Sequence, residues 1–152
     1  MNDRDIFRDT EGVLYNYSML KAEIHNLELE IEELQDEYQG VCSIGYEERT
    51  GPTNKISDSV ANEVIHKEKV ILKLQRIKRS KERLLRKINA AIDSLDETEK
   101  KFVEYRYTSN KKRSWNQVGA LMNLDPNHCC NVIRPSVINK LSCLIYMTQK
   151  HE

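Results

Sequence analysis

Ser114–Leu141 reads SWNQVGALMNLDPNHCCNVIRPSVINKL, and its spacing predicts two short helices joined by a tight turn. Ser114 is a good N-cap, because its hydroxyl can accept a bond from a free N–H of the first turn. Trp115, Val118, Leu121 and Met122 recur at helical spacing and define an apolar stripe. Met122-Asn123-Leu124 turns the chain, and Asn123 tolerates positive φ better than most residues. Asp125-Pro126 is a strong helix start: a capping carboxylate, then a proline where its missing N–H costs nothing. Cys129, Val132, Ile133, Val137 and Leu141 carry the next stripe. Helix, short turn and a polar-fronted second helix form the helix-turn-helix pattern. Pro135 interrupts it, since an interior proline removes a backbone bond and clashes with the preceding turn. The second helix either kinks near Asn131–Pro135 or stops and restarts at Ser136.

The whole chain has 152 residues, 39% of them apolar and 32% charged, which suits a helix-rich protein with long solvated faces. It lacks a run of about 18 apolar residues, the length that would predict a membrane span. The N-terminus MNDRDIFRDT is polar and acidic, unlike a secretory signal. Four cysteines without such a signal suggest reduced thiols in a cytoplasm. A formal net charge of zero conceals a strong asymmetry. Residues 1–50 carry 4 basic and 13 acidic side chains, net −9. Residues 51–95 carry 11 and 5, net +6, and residues 96–152 carry 9 and 6, net +3. Such asymmetry is a cue for nucleic-acid contact, although the two halves could also neutralise each other.

Upstream of the motif, the pattern is that of long helices. Val13, Tyr17, Leu20, Ile24, Leu27, Ile31, Leu34 and Tyr38 alternate spacings of 4 and 3, a heptad seam that predicts one helix over 10–38, capped at Asp9 or Thr10. Residues 39–58, QGVCSIGYEERTGPTNKISD, hold turn and loop chemistry, with a brief extended pairing open at Val41–Ile44. A second long helix is expected from Ser57 or Ser59 to Leu95. Its polar face is basic: Lys67, Lys69, Lys73, Arg76, Lys78, Arg79, Lys81, Arg83, Arg86 and Lys87. An acidic helix, a loop and a basic helix predict an antiparallel hairpin whose seams meet and whose flanking charges complement each other. The seam could equally close between two copies, so a homodimer stays open. Asp96 and Glu99 form a capping-box signal for a helix over Glu97–Tyr107. Ser142–Glu152 can extend the last helix through Leu144, Ile145 and Met147.

Chemistry of the catalytic kind finds little support. His25, His66, His128 and His151 are scattered, and no phosphate-binding glycine loop or nucleophile elbow is present. His128-Cys129-Cys130 with Cys143 invites zinc. However, adjacent helix positions point about 100° apart, so three consecutive ligands cannot converge. No cofactor or metal is expected, and Cys129 is read as a small core residue with Cys130 near the surface. Nucleic-acid binding fares better. A recognition helix presents its N-terminal part to base edges, and the positions off the apolar stripe are Asn127, His128, Cys130, Asn131 and Arg134. Asn suits adenine and Arg suits guanine. Lys111, Lys112 and Arg113 precede the first motif helix, where they can neutralise phosphate. Ser114 and Asn116 can add contacts from that helix N-terminus.

At these residues the chain resembles a known group. LDETEKKFVEYRY…RSWNQVGALMNLDPNHCCNVIRPSVINKL is similar to the C-terminal DNA-binding region of sigma factors, where an acidic, hydrophobic, Arg-Tyr helix precedes the helix-turn-helix. The layout as a whole resembles phage late-gene transcription regulators of the ArpU and RinA type. The matching pieces are Ser43-Ile44-Gly45-Tyr46, the Asp58-Ser59-Val60 helix start, Leu95…Glu99…Arg106-Tyr107 and Ser114-Trp115. The resemblance implies a phage or prophage protein, in the cytoplasm of a bacterial host, that binds double-stranded promoter or operator DNA and acts on transcription, the N-terminal hairpin serving either dimerisation or contact with RNA polymerase. It places Asn127, His128, Asn131 and Arg134 on the DNA-facing side. The expectation is therefore an all-α protein: a coiled-coil hairpin over 1–95, then a sigma-like helix-turn-helix domain over 96–152, acting as a non-enzymatic activator. The alternatives are a DNA-packaging component like a small terminase subunit, and a coiled-coil interaction module.

Overall fold

The computed structural model describes residues 3–42 and 56–146, with side chains described over 4–37 and 62–146. The described residues are all-α: α1 Asp3–Tyr15, α2 Tyr17–Cys42, α3 Ile56–Asp93, α4 Glu97–Val103, α5 Trp115–Met122, α6 Pro126–His128 and α7 Arg134–Ile145. Two π-helical turns, Glu104–Thr108 and Cys129–Ile133, connect α4 onward and α6 to α7. Among the described residues, no helix is long and apolar enough to cross a membrane.

The chain forms two compact units, residues 1–22 with 82–152, and residues 23–81. The expected division at residue 95 is not where they part. The reason lies in α1, whose Ile6, Thr10 and Leu14 follow one another at helical spacing and are all buried. With α1 packed on α7, the N-terminus belongs to the unit that holds the helix-turn-helix. Asp9 and Thr10 do not cap a helix; both lie inside α1, and the Thr10 hydroxyl donates to the Ile6 carbonyl at 2.7 Å. The heptad helix expected over 10–38 is instead two helices that meet at Asn16. The Asn16 N–H still donates to Gly12 and its carbonyl accepts from Leu20.

In the unit of residues 23–81, α2 and α3 run antiparallel. Glu37 pairs with Lys67, Glu28 with Lys78 and Glu23 with Lys81, so partners rise along one helix as they fall along the other. Three lysines thus sit at 3/4 spacing with Ile71, Leu74 and Leu85 rather than on the far face. A charged pair at such a position fixes register, which an apolar seam alone leaves free to slip. Glu28 is held below the usual glutamate range first by the hydrogen bond from Lys78, then by its charge. Helix α2 runs through Cys42 and α3 begins at Ile56. The interruption expected at 39–58 is therefore shorter at both ends, and Val41–Cys42 is helical rather than extended. The Ser43–Tyr46 motif lies outside the described residues, as do 147–152.

The first unit is organised by local signals read from the chain. Asp96 and Glu99 cap α4 reciprocally, with Glu99 N–H to Asp96 Oδ1 at 2.8 Å. Ser114 and Gln117 do the same for α5. Asn123 takes the left-handed conformation, φ 54°. Asp125 accepts from the Asn127 and His128 N–H groups at 2.8 and 3.2 Å, ahead of Pro126. The core gathers Leu14, Ile88, Leu95, Phe102, Val103, Tyr107, Val118, Cys129, Val137, Ile138, Leu141 and Ile145. From the two motif stripes, Leu121 and Val132 are exposed instead.

Gly119 sets how closely α5 meets the turn. A Cβ there would lie 2.7 Å from the Leu124 carbonyl oxygen and 3.1 Å from Pro126 Cγ and N. The Leu124 N–H meanwhile donates to the Gly119 carbonyl at 2.9 Å. In an open helix, Gly→Ala adds about 1 kcal/mol of stability. Here Gly119→Ala is expected to lower stability by about 1–3 kcal/mol, because backbone must shift to admit the methyl group. Urea unfolding of the variant reads the sign directly.

Candidate nucleic-acid interface

The second motif helix is built in three pieces. A single α-helix through Pro135 would put the proline ring against the Asn131 carbonyl. The π turn at Cys129–Ile133 widens the helix at that point, with the Arg134 N–H donating to the Cys129 carbonyl. The helix therefore does not stop and restart at Ser136; it passes through a wider turn into α7, which already holds Arg134 and Pro135. Such single-turn π segments delay the residues that follow, here by roughly a quarter turn relative to an unbroken α-helix. That rotation accounts for two departures from the expected pattern. Val132, read as a core residue from its spacing to Cys129, is 55% exposed. Arg134, read as DNA-facing, turns toward α1.

Arg134 is held there by a fork of hydrogen bonds. Its Nε donates to Glu11 Oε1 at 2.7 Å and a terminal nitrogen donates to Glu11 Oε2 at 2.7 Å. The Tyr107 hydroxyl donates to the same Glu11 Oε1 at 2.8 Å. The Glu11 side chain is 13% exposed and that of Arg134 32%. Burial pushes the Glu11 carboxyl up, but the bonds from Arg134 and Tyr107 and the charges of Arg134 and Arg106 outweigh it and leave it below the usual range. The bond to Glu11 holds Arg134 charged. Burial, then Glu11, holds the Tyr107 hydroxyl protonated. Bidentate pairs of this kind are among the stronger polar contacts. Arg134 is thus engaged inside the unit and removed from the expected base-reading set.

The Arg-Tyr pair upstream has a matching explanation. The π turn Glu104–Thr108 presents Arg106 and Tyr107 to different partners. Arg106 lies 4.0 Å over the Trp115 ring and 5.5 Å from the Tyr15 ring, and donates to the Arg113 carbonyl. Phe102 packs between Tyr107 and Trp115, with ring centroids 6.1 and 6.3 Å away. Arg113 is likewise occupied: it donates to the Tyr105 carbonyl at 3.1 Å and to the Ser109 hydroxyl at 2.7 Å. It serves to close the 108–114 turn rather than to extend as a free cation.

The rest of the expected set remains open to solvent. Lys111, Lys112, Asn116, Asn127, His128 and Asn131 are exposed. The Ser114 hydroxyl accepts from Gln117 N–H, as its cap role requires. On the second motif helix Asn127, His128, Asn131 and Val132 are exposed, as are Leu121 of α5 and Leu124 of the turn. Apolar side chains there were not anticipated from sequence, because the π turn that exposes Val132 leaves no pattern in composition or period. Cys129 is buried, with its thiol pushed up by that burial, while Cys130 is half-buried. Among the described residues, no group of His, Cys, Asp and Glu could hold a metal ion. Comparison with family models, with curated proteins and with solved structures finds no match for this chain.

Proposed function

We propose that the protein is a sequence-specific DNA-binding transcription regulator, of the phage late-gene kind that its sequence resembles, acting in the cytoplasm of a bacterial host. One observation carries the reading: two reciprocally or doubly capped helices, joined through a left-handed Asn123, present Asn127, His128 and Asn131 together on an exposed face. Asparagine is the residue type that forms paired bonds with adenine in the major groove. Val132 and Leu121 add apolar surface of the sort that meets a thymine methyl group. Lys111 and Lys112 supply exposed cations ahead of α5, suited to neighbouring phosphates. Contact with RNA polymerase and action as an activator belong to the same proposal by resemblance.

Selection from a pool of random duplexes tests it. The full-length protein is expected to enrich a shared motif over successive rounds, the signature of base-edge contact. Recovery of duplexes with no common sequence would remove specific readout from the account. Sedimentation of the free protein separates the packaging alternative, for which a large ring is the expected species.

A further inference from the structure

The sequence leads one to expect the basic face of α3 to be used up by the acidic helix. Within residues 23–81 only part of it is. Lys67, Lys78 and Lys81 pair with Glu37, Glu28 and Glu23. Lys69, Lys73, Arg76 and Arg79 do not: all four are exposed, and among the described residues none forms an ion pair. Their spacings of 4, 3 and 3 keep them along one side of the helix. From Lys69 to Arg79 the ridge spans about 15 Å, and no acidic residue interrupts it.

Like charges at these spacings destabilise a helix by a few tenths of a kcal/mol per pair, so the ridge does not arise from the needs of the hairpin. Its extent also limits what it could hold. Four cations spread over about 15 Å are too dispersed for a single small anion. A second copy of the chain offers the outward acids Glu30, Glu32, Glu33 and Asp36 of α2, but these lie within about 9 Å of helix axis and would leave about 6 Å of the ridge uncovered. A duplex backbone carries a negative charge about every 3.4 Å along each strand, a regular array that matches the ridge in length and sign.

We propose that the Lys69–Arg79 ridge of α3 binds the phosphate backbone of duplex DNA, independently of base sequence. The inference deepens the DNA-binding reading and rests on it for its biological sense. The test measures affinity against salt with the full-length chain, on a mixed-sequence duplex of about 30 base pairs and on a duplex chosen by selection. Each neutralised phosphate contributes about 0.9 to the slope of log affinity against log salt. The variant K69Q/K73Q/R76Q/R79Q is therefore expected to lose about 3 to 4 from that slope on both duplexes. Glutamine is a good helix former, so helicity should persist. K69R/K73R/R76K/R79K should keep the wild-type slope, and K69Q/K73Q and R76Q/R79Q should each lose about half as much as the quadruple variant.

A quadruple-variant slope within about 0.5 of wild type would overturn the ridge, while a surviving preference for the selected duplex would leave the helix-turn-helix reading intact. A lost slope with no sequence preference in the wild type would support the ridge and remove the specific readout. Failure of the wild type to bind either duplex would overturn both. Loss of a wild-type dimer in the variant, with the slope unchanged, would overturn the ridge in favour of self-association.

Discussion

Phe102→Ala is expected to destabilise the protein by about 3–5 kcal/mol, the largest loss of any single truncation considered, read as a shift in the urea midpoint. Phe102 is fully buried. Its ring meets Tyr107 on one side and Trp115 on the other, so its removal takes the centre from the contact between α4 and the first motif helix. The cavity cannot close easily, because each neighbour is fixed by a polar partner. Tyr107 is tied to Glu11, and Trp115 lies beneath the Arg106 guanidinium. A loss below about 1 kcal/mol would mean that the site collapses freely and that these rings do not form the core described.

The second large effect concerns the link between α1 and α7. Arg134→Met is expected to cost about 2 kcal/mol, chiefly because it strands a mostly buried Glu11 carboxylate. Glu11→Gln should cost a similar amount. The double variant should cost less than the sum, giving a coupling energy of about 1 kcal/mol or more. Additive effects would show that the two side chains do not act together.

The same pair sets an acid dependence. Glu11 has a folded-state pKa below its ordinary value of 4.5. Its contribution is therefore complete above about pH 4.5 and is lost as pH falls through the folded-state value. The stability difference between wild type and Glu11→Gln should shrink as pH is lowered from about 5 toward 3. A difference that stays constant across that range would contradict the assigned charge state.

What the sequence disclosed, and what it hid, follows from the range of the interactions. The caps that form as read are bonds between residues two or three apart: Asp96 with Glu99, Ser114 with Gln117, Asp125 with Asn127 and His128, whereas the one read at Asp9 or Thr10 does not form. Such bonds depend on local residue choice, so local reading finds them. The antiparallel pairing of acidic and basic helices was legible for a similar reason, since complementary charge and heptad spacing are both periodic.

The site fared less well. Asn127, His128 and Asn131 are exposed as expected, but Arg134 is not part of that face. Its partner Glu11 lies 123 positions earlier, at the start of the helix expected over 10–38, where nothing local pointed to packing against the helix-turn-helix. Ile6, Thr10 and Leu14 lie on one face at spacings of 4, a signal hidden by the stronger heptad beginning at Val13. The π turns are hidden for another reason. Pro135 announces a disturbance in the helix, yet the residues around it do not say whether the chain stops, bends or widens. That choice alone decides where Val132 and Arg134 point.

The central claim is that the face of Asn127, His128 and Asn131 reads base edges, and it is tested most directly by comparing affinities. The full-length protein would be titrated with its selected duplex and with a scrambled duplex of equal length and composition, at one fixed salt concentration. The wild type is expected to prefer the selected duplex by about a thousandfold or more. Asn131→Ala should lose about 1–3 kcal/mol of that preference, at one base-pair position. Equal affinity of the wild type for both duplexes, or an Asn127→Ala/Asn131→Ala variant with undiminished preference, would contradict the account.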